Sequence, residues 1–109
     1  MRFFGLAACD TCRRARKELA AAGRDAEVID IREAGIPPDL AAEMVAALGP
    51  GVVNRASTTW RGLTEEERAQ PPEALLTAHP LLMKRPVIEA GGRWSMGWKD
   101  EARARALGE

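Results

Sequence analysis

The pattern that most restricts this chain lies in its first thirty-one residues. Arg2-Phe3-Phe4-Gly5-Leu6 is a short apolar run ending in small residues, which predicts a buried strand. From Asp10 to Ala22 helix formers follow one another until Gly23 stops them. Cys12, Ala15, Leu19 and Ala22 recur at helical spacing and predict a narrow inner stripe. Ala26 to Ile31, with Val28, Ile29 and Ile31, predicts a second strand. The opening unit is therefore strand, turn, helix, strand, and the turn carries Cys9-Asp10-Thr11-Cys12.

The rest of the chain sets what this βαβ unit belongs to. Pro37-Pro38-Asp39 opens a helix carrying Leu40, Met44, Val45 and Leu48, and Gly49-Pro50 closes it. Val52 to Trp60 shows no clear period and reads as loop. Thr64-x-x-Glu67 is a capping-box pattern. Pro71-Pro72 opens a further helix with Leu75 and Leu76, ending at His79-Pro80. Lys84 to Glu89, holding Val87 and Ile88, reads as a strand. Ala90-Gly91-Gly92-Arg93 is a hairpin turn signal, and Arg93 to Met96 is the return strand. Trp98 to Leu107 is a last helix. The order is βαβ, helices, ββα, an α/β chain matching the thioredoxin-like arrangement with a mixed four-stranded sheet. Residues 1–109 are expected to form one domain, with a helical insertion at about 36–80.

Composition excludes several classes. The 109 residues are 46% apolar and 29% charged, as expected of a soluble globular domain. Sixteen basic and sixteen acidic side chains cancel, without the basic excess of a nucleic-acid binder. No apolar run approaches the roughly 18 residues of a membrane helix. The apolar stretch after Met1 is short and runs at once into Asp10 and a charge cluster, so no secretory leader is expected. With only two cysteines the chain is expected in the cytoplasm, where thiols stay reduced, and as a monomer.

A cysteine pair at a strand-to-helix turn has a clear chemical use. The nucleophile is the thiolate, and free cysteine at pKa ~8.5 is mostly protonated at neutral pH. A cysteine just before a helix faces unpaired N–H groups and the positive end of the dipole, and both favour the anion. Cys9 is so placed, and Arg13, Arg14, Arg16 and Lys17 add to the field. Cys12, three residues on, is close enough to attack a mixed disulfide on Cys9. Three other uses compete. A zinc half-site lacks partners, with no third cysteine and only His79. A structural disulfide suits neither the compartment nor so short a loop. An inert core cysteine is natural for Cys12, on the apolar stripe, but not for Cys9.

Other candidates are less specific. Arg55 stands in a polar stretch, Asn54-Arg55-Ala56-Ser57, and Arg85 stands before Pro86 and a strand. A guanidinium fork suits oxyanions and carboxylates, although an arginine is ordinarily a solvated surface group. Arg13, Arg16 and Lys17 share a helix face, read as solvated and partly paired through Arg14 and Glu18, or as a contact for the carboxylates of glutathione. Trp60, Trp94 and Trp98 read as packing residues, and His79 as a helix-end residue.

Together these pieces resemble the arsenate reductase/Spx family of thioredoxin-like proteins. The segments that carry the resemblance are Cys9 to Arg16, Val53-Asn54-Arg55-x-Ser57-x-x-Trp60-Arg61-x-Leu63, and His79 to Ile88, with Met96-Gly97-Trp98 before the last helix. The resemblance implies that Cys9 is the catalytic cysteine. It implies that Arg55 and Arg85 hold the substrate oxyanion, and that Arg85-Pro86 is a cis step facing the site. One departure matters: glutathione-linked arsenate reductases carry a third arginine where this chain has Met96, with Arg93 nearby but displaced. They also often have serine in place of Cys12. Both differences point to the short branch related to the YffB proteins. That implies a glutathione-dependent thiol reductase, with glutathione or another thiol as reductant and a small oxyanion or mixed disulfide as substrate. No tightly bound cofactor, metal, membrane or nucleic acid is implied. The alternatives are a true arsenate reductase and an Spx-like redox sensor that binds RNA polymerase.

Overall fold

The computed structural model describes residues 1–108. The chain forms two compact units, Met1–Ile31 with the segment from Arg85 onward, and Arg32–Lys84.

The first unit is built on β1 (Arg2–Gly5), α1 (Asp10–Ala21), β2 (Glu27–Asp30), β3 (Val87–Ala90), β4 (Arg93–Met96) and α7 (Asp100–Leu107). The sheet order is β2-β1-β3-β4. β1 and β2 are parallel, as a helical crossover requires, and the other two pairings are antiparallel. This is a thioredoxin-like fold. Phe3 pairs with Ile88, which puts both on one face of the sheet. There they pack with Cys12, Ala15 and Leu19 of α1 and with Trp98 and Ala106. Burying a side chain such as Phe3 or Leu19 contributes about 1.5–3 kcal/mol. On the other face Phe4 stacks on Trp94, with ring centroids 6.3 Å apart, and the Arg2 guanidinium lies over both rings.

The inner stripe of α1 stops one turn earlier than its spacing suggests. Cys12, Ala15 and Leu19 are buried, but Ala22 is exposed. The helix ends at Ala21, and Gly23, at φ 74°, turns the chain away. Arg24 N–H donates to Leu19 O at 2.9 Å and Gly23 N–H to Ala20 O at 3.0 Å, which closes the helix as a Schellman motif. The Arg24 guanidinium then donates to the Leu107 carbonyl at 2.9 Å, tying the ends of α1 and α7.

The chain enters the second unit through α2 (Ile31–Ala34), a single turn with no signal of its own in the sequence. The unit then holds α3 (Pro38–Leu48), α4 (Thr58–Arg61), α5 (Glu65–Arg68) and α6 (Pro72–Ala78), with 3-10 turns at Pro50–Val52 and Pro80–Leu82. α3 packs on α6, and Ala41, Met44, Leu75 and Leu76 are their buried residues. The Thr64–Glu67 capping box is present with both of its bonds, 3.1 and 2.9 Å.

Two expectations are corrected. Val52 to Trp60 is not simply loop. Val53 is buried and bridges Met83, Asn54 N–H donates to Leu82 O at 2.7 Å, and Ser57 caps α4. The stretch lacks a period because it holds three short elements, each below one repeat. The strand expected from Lys84 begins at Val87 instead. Lys84 N–H is committed to Val52 O at 2.8 Å, and Pro86 has no N–H to give a ladder.

Candidate active site

Cys9 occupies the N-cap of α1, where β1 hands over to the helix. Its N–H donates to Leu6 O at 3.3 Å and its carbonyl accepts from Arg13 N–H at 2.9 Å. The turn is tied to the next strand by Ala7 N–H, which donates to Asp30 Oδ2 at 3.3 Å. Cys9 is partly exposed, Cys12 has 0% exposure, and both are free thiols.

The two thiols meet different surroundings. Partial burial resists ionisation of Cys9. Hydrogen bonds from the Cys12 backbone N–H and the Cys12 thiol outweigh it, with a further bond and positive charge from Arg85. The net effect holds Cys9 below the ordinary thiol range. Burial pushes Cys12 up to about 11; the Leu6 N–H eases this, and the neighbouring Cys9 adds to it. Cys12 is fully buried because it sits on the inner stripe of α1.

Arg85 joins this group, and Pro86 follows it in the chain. The Arg85-Pro86 peptide is cis, and Pro86 is buried. The Pro86 carbonyl accepts from Gly97 N–H at 2.8 Å, which fixes the entry to β3 against the exit of β4. Val87 pairs with Phe4 on one side and Met96 on the other, so Met96 lies at the Cys9 end of the sheet. Arg93 pairs with Ala90 at the hairpin end. Three strand residues span roughly 10 Å, so Arg93 is remote from the place of Met96.

Arg55 belongs to the second unit and is exposed. It stands in a tight turn: Asn54 Oδ1 accepts from Ala56 N–H at 3.0 Å, and Ser57 Oγ donates to Asn54 O at 2.8 Å. Its Cζ lies 5.3 Å from the Trp60 ring centroid, and Arg68 Cζ lies 5.6 Å from the same ring. Such contacts restrain an otherwise mobile guanidinium. Trp60 is therefore an arginine platform as well as a packing residue, as Trp94 is for Arg2. Nothing in single-residue spacing marked that pairing.

The remaining candidates fall outside the thiol turn. His79 caps α6 and its Nε2 lies 3.3 Å from Glu67 Oε2. Among the described residues no three His, Cys, Asp or Glu side chains gather as a metal site would need. The sequence pairs Glu18 with basic neighbours on the surface of its own helix. Its main partners lie further off: Trp98 Nε1–H donates to Oε2, and Arg103 Nε donates to Oε1 at 2.8 Å. No helix among the described residues is long and apolar enough to cross a membrane.

The fold and the turn define a thioredoxin-like protein with one partly exposed and one buried cysteine at the head of its first helix. The ArsC family model matches residues 4–106, and the chain belongs to the ArsC family. A Haemophilus influenzae protein without an assigned role is 30% identical over 103 residues, covering 90% of each chain. The solved structure of a YffB protein superposes with a TM-score of 0.88 at 36% identity, covering 97% of both chains. An arsenate reductase (ArsC) related protein from Brucella melitensis superposes at 0.73 with 28% identity, covering 95% of this chain and 91% of that one.

Proposed function

We propose that this protein is a glutathione-dependent thiol reductase in which Cys9 is the nucleophile. The observation that carries the reading is the Cys9 sulfur at a helix N-terminus, with Arg85 and Cys12 as hydrogen-bond donors to it. The Cys9 thiolate attacks the glutathione sulfur of a mixed disulfide. The old S–S bond breaks, the other thiol leaves as thiolate and takes a proton from water, and a Cys9–glutathione disulfide forms. A glutathione thiolate attacks this adduct, releasing oxidised glutathione and restoring the Cys9 thiolate. Cys12 is buried and holds its proton, so the second thiol comes from solution. Arg85 is assigned to the carboxylates of glutathione as well as to the sulfur. Arg55 is assigned as a second cation for substrate anions, and Pro86 as the backbone beside the bound thiol.

Arsenate reduction is the second reading, favoured by the family and by the name of the Brucella relative. Against it stands Met96, an uncharged side chain at the Cys9 end of the sheet. Glutathione-coupled NADPH oxidation, run separately with a glutathione mixed disulfide and with arsenate, decides between them. We expect turnover on the disulfide, abolished by Cys9→Ser. Turnover on arsenate alone would overturn the first reading in favour of the second. Turnover on neither, with capture of RNA polymerase, would replace both with the redox-sensor reading. Arg55→Ala and Arg85→Ala, each expected to raise KM, test the arginine assignments.

A further inference from the structure

Gly5 is the last residue of β1, and its role is not conformational. It does not have the positive φ of Gly23 or Gly97, so its backbone would accept alanine. Space is what alanine would lack. A β-carbon on Gly5 would stand 2.8 Å from Cys12 Sγ, 3.0 Å from Phe3 Cε1 and 3.4 Å from Cys12 Cβ. Ordinary contacts between such atoms are about 3.5–4.0 Å. The neighbours have nowhere to go, with Cys12 at 0% and Phe3 at 1% exposure. The Cys12 side chain has a single heavy-atom torsion, and turning it takes the sulfur away from its partners.

Those partners are what the seat preserves. Cys9 packs against the buried cluster that holds Cys12, and the Leu6 N–H, next to Gly5, and the Cys9 sulfur are the groups that act on the Cys12 thiol. We propose that Gly5 is a positioning residue for the reactive thiol: its bare α-carbon seats the Cys12 sulfur, and from that seat Cys12 donates its S–H to the Cys9 thiolate. This rests on the reading of Cys9 as nucleophile. It makes Cys12 a hydrogen-bond donor that keeps its proton through the cycle, and places the requirement for it on β1.

The test compares Gly5→Ala, Cys12→Ala and the double variant in the full chain. The readout is the pH dependence of alkylation at Cys9, followed by mass spectrometry, together with kcat and KM. Gly5→Ala is expected to raise the Cys9 midpoint by about half to one unit. That cuts the thiolate fraction at lower pH about three- to tenfold and lowers kcat with KM nearly unchanged. On the Cys12→Ala background, where the sulfur is gone, adding Gly5→Ala should leave the midpoint where Cys12→Ala alone puts it. An unchanged midpoint in Gly5→Ala, or the same shift on both backgrounds, overturns the proposal. If Gly5→Ala does not fold, recovery of the fold in the double variant supports the shared seat. Failure of both to fold gives the space to Phe3 and overturns it. The nucleophile reading is judged separately, since it falls if Cys9→Ser still turns over the mixed disulfide.

Discussion

Cys9 and Cys12 lie three residues apart at the head of one helix, and their thiols are displaced in opposite directions. Cys9 is held below the ordinary range by donors that face its sulfur, whereas burial drives Cys12 up to about 11. Iodoacetamide should therefore modify one thiol only. The rate should rise with pH about a midpoint below the ordinary thiol pKa of ~8.5, with all label on Cys9. Equal labelling of the two cysteines at neutral pH would contradict the inequality.

Arg85 contributes to the Cys9 shift through both a hydrogen bond and its charge. Arg85→Ala should raise the alkylation midpoint and slow the reaction at neutral pH by roughly three- to tenfold. Arg85→Lys keeps a charge but not the planar fork, and should fall between the two. A lysine variant indistinguishable from alanine would show that charge plays no part.

Glu18 predicts the acid limb of stability. Its carboxyl is held below the usual range, first by the Trp98 indole N–H and then by Arg103. A depressed carboxylate stabilises the fold fully above the ordinary pKa of ~4.3, and that contribution is lost as pH falls through the folded value. Glu18→Gln should lower Tm near neutrality and flatten its decline on acidification. Parallel Tm curves for the two proteins would mean that Glu18 titrates alike folded and unfolded.

Ser57 accepts from Trp60 N–H at 3.1 Å and so caps α4, while its hydroxyl closes the turn that carries Arg55. Ser57→Ala should cost about 0.5–2 kcal/mol in denaturant melts. Thr64→Ala, at the cap of α5, should cost a similar amount without raising KM. A KM change in the threonine variant would show that the helices respond together.

Elements with their own punctuation were legible in the sequence. The hairpin at Gly91-Gly92, the strand at Arg93–Met96 and the Thr64–Glu67 cap stand where expected, because glycine, strand alternation and capping act over a few residues. The thiol turn was equally legible, since strand, cysteine and helix are contiguous. What could not be read was any relationship closed by the fold. Glu18 finds Trp98 from 80 positions away in the chain, and a guanidinium finds the ring of Trp60 or Trp94 only once a turn or a strand pairing has formed. Gly5 looked like the small end of an apolar run, and its importance depends on a sulfur seven residues away. Ala22 shows the reverse error: the period was right, but the helix ended before reaching it.

The chain has three tryptophans and no tyrosine, so its ultraviolet emission is indole light alone. Trp60 and Trp94 are half-buried beside arginines, whereas Trp98, at 5% exposure, is packed in the core and bonded to a carboxylate on α1. The molecule thus carries a built-in optical gauge docked against the helix that presents Cys9. With Trp60 and Trp94 replaced by phenylalanine, the colour of the one remaining indole would follow the docking of that helix in real time, without any attached dye.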